Sequence, residues 1–229
     1  MCLRVRQRAV VTARVPEPRL GSCILVHGLW MTGLELTPLR QRLRSRFGFE
    51  THQFQYSSLF SDEADTATRL AALAHSLPGP VHFLGHSLGG LLILDCFERQ
   101  GASLPPGRVL LMGSPVNGAQ TARKFSAWFG MRAVLGAMPH RQLVDAPARV
   151  WRQARDLGVI AGTLPIGLGL VAGGFDGPND GTVQVRETLL EGRTAMVTLP
   201  VTHAGMGLST AVAHQAGTFL STGRFDRDR

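Results

Sequence analysis

The chain has 229 residues, of which 44% are hydrophobic and 17% charged, which excludes an intrinsically disordered protein and favours one domain over residues 1–229. Its formal net charge is +8, carried almost entirely by arginine, since Lys124 is the only lysine. These arginines are scattered and no nucleic-acid-binding motif accompanies them, so we predict no nucleic-acid partner and at most weak association with a membrane surface.

Short apolar runs alternate with helix-favouring stretches, which predicts an α/β fold with a mostly parallel, doubly wound sheet and helices on both faces. Strands are predicted at residues 8–15, 22–26, 49–56, 81–84, 108–112, 158–163 and 194–199. Helices are predicted at residues 36–47, from a cap at residue 61 or 62 to about residue 75, after Ser87 to residue 100, and at residues 209–220. Ser61 or Asp62 can cap the second helix, and Gly101 is a candidate left-handed terminator of the third.

Two stretches are longer than crossover connections require. Residues 118–150 carry several large apolar side chains, and residues 164–175 are almost uncharged. We interpret residues 118–157 as a small helical cap that forms a hydrophobic substrate pocket together with the second stretch. The alternative is that both stretches simply pack on the core. Candidate pocket residues are Trp30, Phe125, Trp128, Leu164 and Ile166.

A candidate nucleophile follows the 81–84 run, where residues 85–90 read Gly-His-Ser-Leu-Gly-Gly. A tight strand-to-helix turn would hold Ser87 in strained backbone angles and leave no room for a Cβ at Gly85 or Gly89. Free N–H groups at the start of the following helix would face the same space. The pattern therefore indicates nucleophilic catalysis, and the alternative is an ordinary glycine-rich turn.

A serine nucleophile needs a general base and a residue that orients the base; in a parallel sheet both come from loops after later strands. His203 lies between the last predicted strand and the last helix, whereas His86 is expected to point away from the serine. Asp180 precedes a glycine in the loop after the 158–163 strand, and Asp176 in the same loop is the alternative acid. The order Ser87, Asp180, His203 is the one that proteins with this elbow use.

Acyl transfer also needs donors for a developing oxyanion. The dipeptide His27-Gly28 directly follows a buried strand, and the glycine lets the chain turn so that the N–H of Leu29 faces the nucleophile. Together with the N–H of Leu88 it would form a two-donor oxyanion hole. The alternative is a turn that merely ends the strand.

Together these segments resemble the α/β-hydrolase superfamily of serine esterases and lipases, over almost the whole chain. Residues 26–29 resemble the oxyanion motif, 85–89 the nucleophile elbow, 179–183 the acid loop and 202–205 the histidine loop. Within the superfamily, the details look most similar to compact bacterial lipase-like and inositol-deacylase-like hydrolases. The chain departs from secreted lipases in having no obvious large lid.

The resemblance implies hydrolysis of a small-molecule or lipid ester with an apolar acyl group. Ser87, His203 and Asp180 would form the triad, an acyl-enzyme would be the intermediate, and neither metal nor cofactor is implied. A thioesterase or acyltransferase would use the same triad, and a non-catalytic binding protein on the same fold is the alternative from another class.

Cysteine usage and apolar runs give expectations about compartment. The three cysteines, Cys2, Cys23 and Cys96, have no close spacing, which predicts neither a disulfide framework nor a metal site. Cys23 and Cys96 lie in apolar segments and are expected to be buried structural thiols. No run is typical of a secretion signal or a membrane span, so we expect a cytoplasmic protein.

Overall fold

The computed structural model describes residues 20–127, 136–171 and 174–227; the strand predicted at residues 8–15 and the candidate pocket residue Trp128 lie outside these ranges. The described strands are β1 Ser22–Val26, β2 Glu50–Phe54, β3 Val81–His86, β4 Val109–Met112, β5 Leu157–Gly162 and β6 Ala195–Leu199. They form one sheet in the order β2-β1-β3-β4-β5-β6, and every neighbouring pair is parallel. The predicted α/β fold class is confirmed.

Seven α-helices lie in the described ranges. They are α1 Thr37–Phe47, α2 Glu63–Ser76, α3 Leu88–Gln100, α4 Gln120–Ser126, α5 Ala137–Leu143, α6 Leu168–Val171 and α7 Thr210–Thr222. Short 3-10 helices occur at Leu34–Leu36 and Val185–Thr188. Helices α4 and α5 belong to the stretch interpreted as a cap, and α6 lies within the almost uncharged stretch of residues 164–175.

Side-chain alternation along the strands places one hydrophobic cluster on each face of the sheet. In β1, Ile24 and Val26 point to the cluster that contains α2 and α3. Cys23 and Leu25 point to the opposite cluster, which contains α1 and α7. All four side chains are fully buried. The prediction of helices on both faces is therefore confirmed.

Helix ends follow local signals with one exception. The side chain of Asp62 accepts hydrogen bonds from the N–H groups of Ala64 and Asp65 at the start of α2, and Ser209 caps α7 in the same way. The expectation for Gly101 is wrong, because this residue ends α3 in a right-handed conformation with φ −56°. A Cβ there would overlap the main-chain carbonyl oxygen of Phe97 and lie 2.8 Å from the side-chain oxygen of Gln153, so close packing rather than a left-handed turn accounts for the glycine.

The two described cysteines, Cys23 and Cys96, are free and buried, as the sequence predicted. Burial raises the pKa of each thiol to about 12, so neither forms a thiolate at neutral pH. Within the described ranges, no helix combines the length and the apolar character that crossing a bilayer would require.

Candidate active site

The predicted nucleophile stands at a strained turn between β3 and α3. Ser87 has φ 55° and ψ −123°, a conformation that costs a non-glycine residue of the order of 1–3 kcal/mol. Its N–H donates to the carbonyl of Met112 at 2.9 Å, which fixes the turn against β4. A Cβ on Gly85 would overlap the main chain of Gly90, and one on Gly89 would overlap the carbonyl oxygen of Val26. The turn therefore needs these two glycines for the reason inferred from the sequence.

The predicted base and acid are in contact. The Nδ1 atom of His203 lies 2.7 Å from Oδ2 of Asp180, whose side chain is 1% exposed. The other carboxylate oxygen accepts from the N–H groups of Thr182 and Val183 at 3.0 and 2.7 Å. Because both carboxylate oxygens act as acceptors, Nδ1 of His203 carries the proton and Nε2 is left as the basic nitrogen.

The main chain reinforces this pair. The N–H of His203 donates to the carbonyl of Asp180 at 2.8 Å, so one residue holds both the ring and the backbone of the histidine. By contrast, the alternative acid Asp176 is exposed. The structure thus brings Asp180, and not Asp176, to His203.

Two glycines that the sequence analysis did not single out make room for the pair. Gly113 directly follows β4 with φ +57°, and a Cβ there would lie 3.0 Å from Nδ1 of His203 and 3.1 Å from Oδ2 of Asp180. Gly162 ends β5, and a Cβ there would lie 2.7 Å from Cβ of Asp180. In the sequence, the only signal for this role was that each glycine lies at the carboxyl end of a predicted strand.

Ser87 and His203 line one cavity of about 490 Å³. No hydrogen bond joins the Ser87 hydroxyl to His203 in the part of the chain that the structure describes. Such bonds are often long before substrate binds, and shorten in the complex. The cavity opens at the carboxyl edge of the sheet, where ligands bind in parallel α/β folds.

Of the two predicted oxyanion donors, Leu29 lines the same cavity and Leu88 directly follows Ser87. A Cβ on Gly28 would lie 3.1 Å from Cβ of Ser87, so the loop after β1 runs directly beside the serine. Leu29 follows in this loop and lines the cavity. Leu88 is the first residue of α3, where N–H groups have no partner within the helix. Neither of these two N–H groups donates a hydrogen bond to another described residue.

Of the predicted pocket residues, Trp30, Phe125 and Ile166 line the cavity. Leu164 does not: it is 39% exposed and its N–H donates to the carbonyl of Val201, which places it at the edge of the histidine loop. The sequence analysis missed other lining residues, among them Met31, Ala122 and Leu143. Ala122 and Leu143 belong to α4 and α5, so the stretch interpreted as a cap supplies part of the wall.

A larger cavity of about 650 Å³ lies at the opposite, amino edge of the sheet. Its arginines are engaged, since Arg108 pairs with Asp156 and Arg155 donates to the carbonyls of Leu104 and Pro105. Because it contains no nucleophile–base pair, we place the candidate active site at the smaller cavity.

Helix α4 is tied to α5 by a second serine, histidine and aspartate. His140 Nε2 lies 3.1 Å from Oγ of Ser126, and its Nδ1 lies 3.2 Å from Oδ2 of Asp145. Ser126 ends α4, and the free backbone groups at a helix C-terminus are carbonyls, which cannot stabilise an oxyanion. Asp145 is 63% exposed. We therefore interpret this set as a cross-link within the cap.

A buried polar network ties α5 to the helices beneath it. Arg149, whose side chain is 3% exposed, donates to Glu98 of α3 at 3.0 Å and to Gln142 of α5 at 2.6 Å. Gln142 in turn donates to Glu63 at the start of α2. This network fixes the part of the cap that carries Leu143, and hence one wall of the cavity.

Comparison with known proteins agrees with the fold. A model of the alpha/beta hydrolase family matches residues 23–220. The chain therefore belongs to the alpha/beta hydrolase family, which assigns it to the hydrolases in general. A search of curated proteins found no significant match.

Solved structures with the same fold share little sequence with the chain. The mature lipase BlEst2 of Bacillus licheniformis is 21% identical with a TM-score of 0.64, over 83% of this chain and 88% of that one. The RedJ thioesterase of Streptomyces coelicolor is 14% identical with a TM-score of 0.58, over 97% and 98%. Carboxylesterase CesB of Bacillus subtilis is 14% identical with a TM-score of 0.57, over 90% and 85%.

Proposed function

We propose that the protein is a serine hydrolase that cleaves carboxylic esters carrying an apolar acyl group. The observation that supports this most strongly is the 2.7 Å hydrogen bond between His203 and Asp180, in a site where Ser87 is held at φ 55° beside the same cavity. A histidine oriented by a buried carboxylate beside a strained serine is the arrangement that nucleophilic acyl transfer requires.

In the proposed reaction, Oγ of Ser87 attacks the ester carbonyl while Nε2 of His203 takes its proton. Asp180 keeps Nδ1–H in place and stabilises the imidazolium. The N–H groups of Leu29 and Leu88 hold the oxyanion, and the alcohol leaves with the proton from His203. Water then attacks the acyl-enzyme with His203 as base, which releases the acid and restores Ser87.

The cavity supports an uncharged, apolar acyl group. Among its described lining residues none is Asp, Glu, Lys or Arg, and the walls include Phe125, Leu143 and Ile166. Each methylene that is buried contributes about 0.8 kcal/mol to binding. A charged acyl chain would lose its hydration without gaining a partner.

The test is hydrolysis of a series of p-nitrophenyl esters from acetyl to palmitoyl, together with the matching acyl-CoA thioesters. Wild type should hydrolyse esters, and Ser87→Ala should lose at least about 10³-fold in kcat. Ser126→Ala is the matched control, since it removes a hydroxyl that also contacts a histidine and should keep full activity.

Activity that survives in Ser87→Ala would overturn the mechanism. A clear preference for thioesters would retain the triad but replace the ester class by a thioesterase. Tight binding of these substrates without turnover would favour a binding protein on the same fold.

A further inference from the structure

The last residue of β3, His86, has no part in the proposed reaction but contacts its base. Its side chain is 1% exposed, and its ring lies 4.8 Å from the ring of His203 with a tilt of 40°. Its Nε2 atom lies 3.1 Å from the main-chain carbonyl oxygen of His203. A carbonyl oxygen can only accept, so Nε2 of His86 carries the hydrogen and donates it.

We propose that His86 is a positioning residue for His203. It would hold the loop between β6 and α7 so that the His203 imidazole keeps its bond to Asp180 while Nε2 faces Ser87. The effect on turnover rests on the proposed function, because it takes His203 to be the base. The effect on the geometry of the His203–Asp180 pair does not.

The loop needs an external tie because His203 lies in no helix or strand. Its N–H donates to the carbonyl of Asp180 at 2.8 Å. Its own carbonyl accepts from Nε2 of His86 at 3.1 Å and, at the longer distance of 3.4 Å, from the N–H of Met206. The backbone of His203 is thus fixed from two strands, β3 through His86 and β5 through the loop that carries Asp180. Loss of the first tie would leave the ring attached to Asp180 but free to turn with the loop.

Histidine suits this position because it fills the space, donates through Nε2 and stays uncharged. Burial, followed by the nearby charge of His203, lowers the pKa of His86 to about 3. The titratable groups that face it are His203, Asp180 and His27. Since His86 remains neutral when His203 takes a proton, it adds no repulsion to the imidazolium. Its Nδ1 is buried and makes no hydrogen bond to another described residue, as a neutral ring allows.

A matched control lies on the same strand. His82 is also buried in β3, on the same face as His86, and its Nδ1 accepts a hydrogen bond from the N–H of Arg108 at 3.1 Å. It lies at the amino end of the strand, away from His203. Replacing His82 therefore disturbs the core in a similar way but leaves the histidine loop intact.

The experiment compares His86→Gln with His86→Asn, and His86→Phe with His82→Phe. The amide nitrogen of glutamine reaches about as far as Nε2 of histidine, whereas that of asparagine reaches only as far as Nδ1. We expect kcat for the preferred p-nitrophenyl ester to fall about 10- to 100-fold in His86→Asn and His86→Phe with little change in KM, because a base displaced by under an ångström loses this much. His86→Gln should recover most of the loss, and His82→Phe should keep kcat per folded molecule.

A second readout uses no substrate. The proton in the short His203–Asp180 bond should give a far-downfield proton NMR signal in wild type, His86→Gln and His82→Phe, and a shifted or absent signal in His86→Asn and His86→Phe. Unchanged kcat and signal in His86→Phe, or an equal loss in His82→Phe, would reduce His86 to a packing residue and overturn the proposal. If the wild type hydrolyses no ester, the NMR comparison still decides the positioning role, whereas the proposed function fails separately.

Discussion

Substitution of Gly113 by alanine tests whether the His203–Asp180 pair depends on the space left by a missing side chain. The residue has φ +57°, so any Cβ adds strain of about 1–2 kcal/mol. The added atom would also lie 3.0 Å from Nδ1 of His203 and 3.1 Å from Oδ2 of Asp180. Ordinary contacts begin near 3.4 Å, so the pair must shift by a few tenths of an ångström.

Gly48 supplies the control that separates strain from contact. It ends α1 with φ +72°, and a Cβ there would meet nothing within 4 Å. Alanine at either position should therefore lower the free energy of unfolding by about 1 kcal/mol. Only Gly113→Ala should lower kcat, by about fivefold, since a misplacement of 1 Å costs about 100-fold and the shift is roughly a third of that.

The assay is ester hydrolysis together with denaturant unfolding of both variants. KM should stay near the wild-type value, because Gly113 does not line the cavity. Equal kcat in Gly113→Ala and Gly48→Ala, after correction for the folded fraction, would show that the pair tolerates the atom and that the proposed dependence is mistaken.

Three further predictions concern stability and substrate range. Burial lowers the pKa of His82 to about 4 and of His86 to about 3, so below pH 6.5 the unfolded chain binds protons that the native chain does not. The free energy of unfolding should therefore fall by about 1.4 kcal/mol per pH unit for each histidine as the pH drops from 6.5 towards 4. Denaturant unfolding at several pH values should show that His82→Phe loses half of this dependence of the free energy on pH. Ala122→Phe should fill part of the cavity and slow hydrolysis of long-chain esters while sparing acetate, and an unchanged chain-length profile would place the acyl group elsewhere. Arg149→Ala should cost about 2 kcal/mol, because it leaves the buried amide oxygen of Gln142 without its donor while the half-exposed Glu98 is solvated. Arg69→Ala, which breaks an exposed pair, should cost under about 1 kcal/mol, and equal melting temperatures would contradict the network.

The order of strands and helices could be predicted because its signals are local. Asp62 and Ser209 cap helices through bonds to residues two or three positions further on, and alternating burial in β1 follows from the pleat. The elbow around Ser87 could be predicted equally well, since a turn that leaves no room for a Cβ requires glycine at positions 85 and 89. Gly101 shows the limit: a glycine required by close packing against the carbonyl of Phe97 looks the same in sequence as one required by a left-handed turn.

Contacts across the fold could not be predicted in the same way. Asp176 and Asp180 share one loop; the glycine after Asp180 favours it in the sequence, but only its burial against His203 excludes Asp176. His86 was expected only to point away from the serine, and its contact with a histidine 117 residues further along the chain was not foreseen. Gly113 must lack a side chain only because the two loops that follow β5 and β6 converge beside it. These contacts form only when segments distant in the sequence come together in the fold, and the local sequence carries no signal for them.

The most direct test of the central claim is covalent labelling by a fluorophosphonate, followed by mass spectrometry of the intact protein and its peptides. We expect one phosphonyl group per molecule, with loss of fluoride, on the peptide that contains Ser87 and none on Ser126. Labelling that requires His203 and Asp180 would support the triad. An unmodified protein, or a label on another residue with Ser87 untouched, would contradict the account.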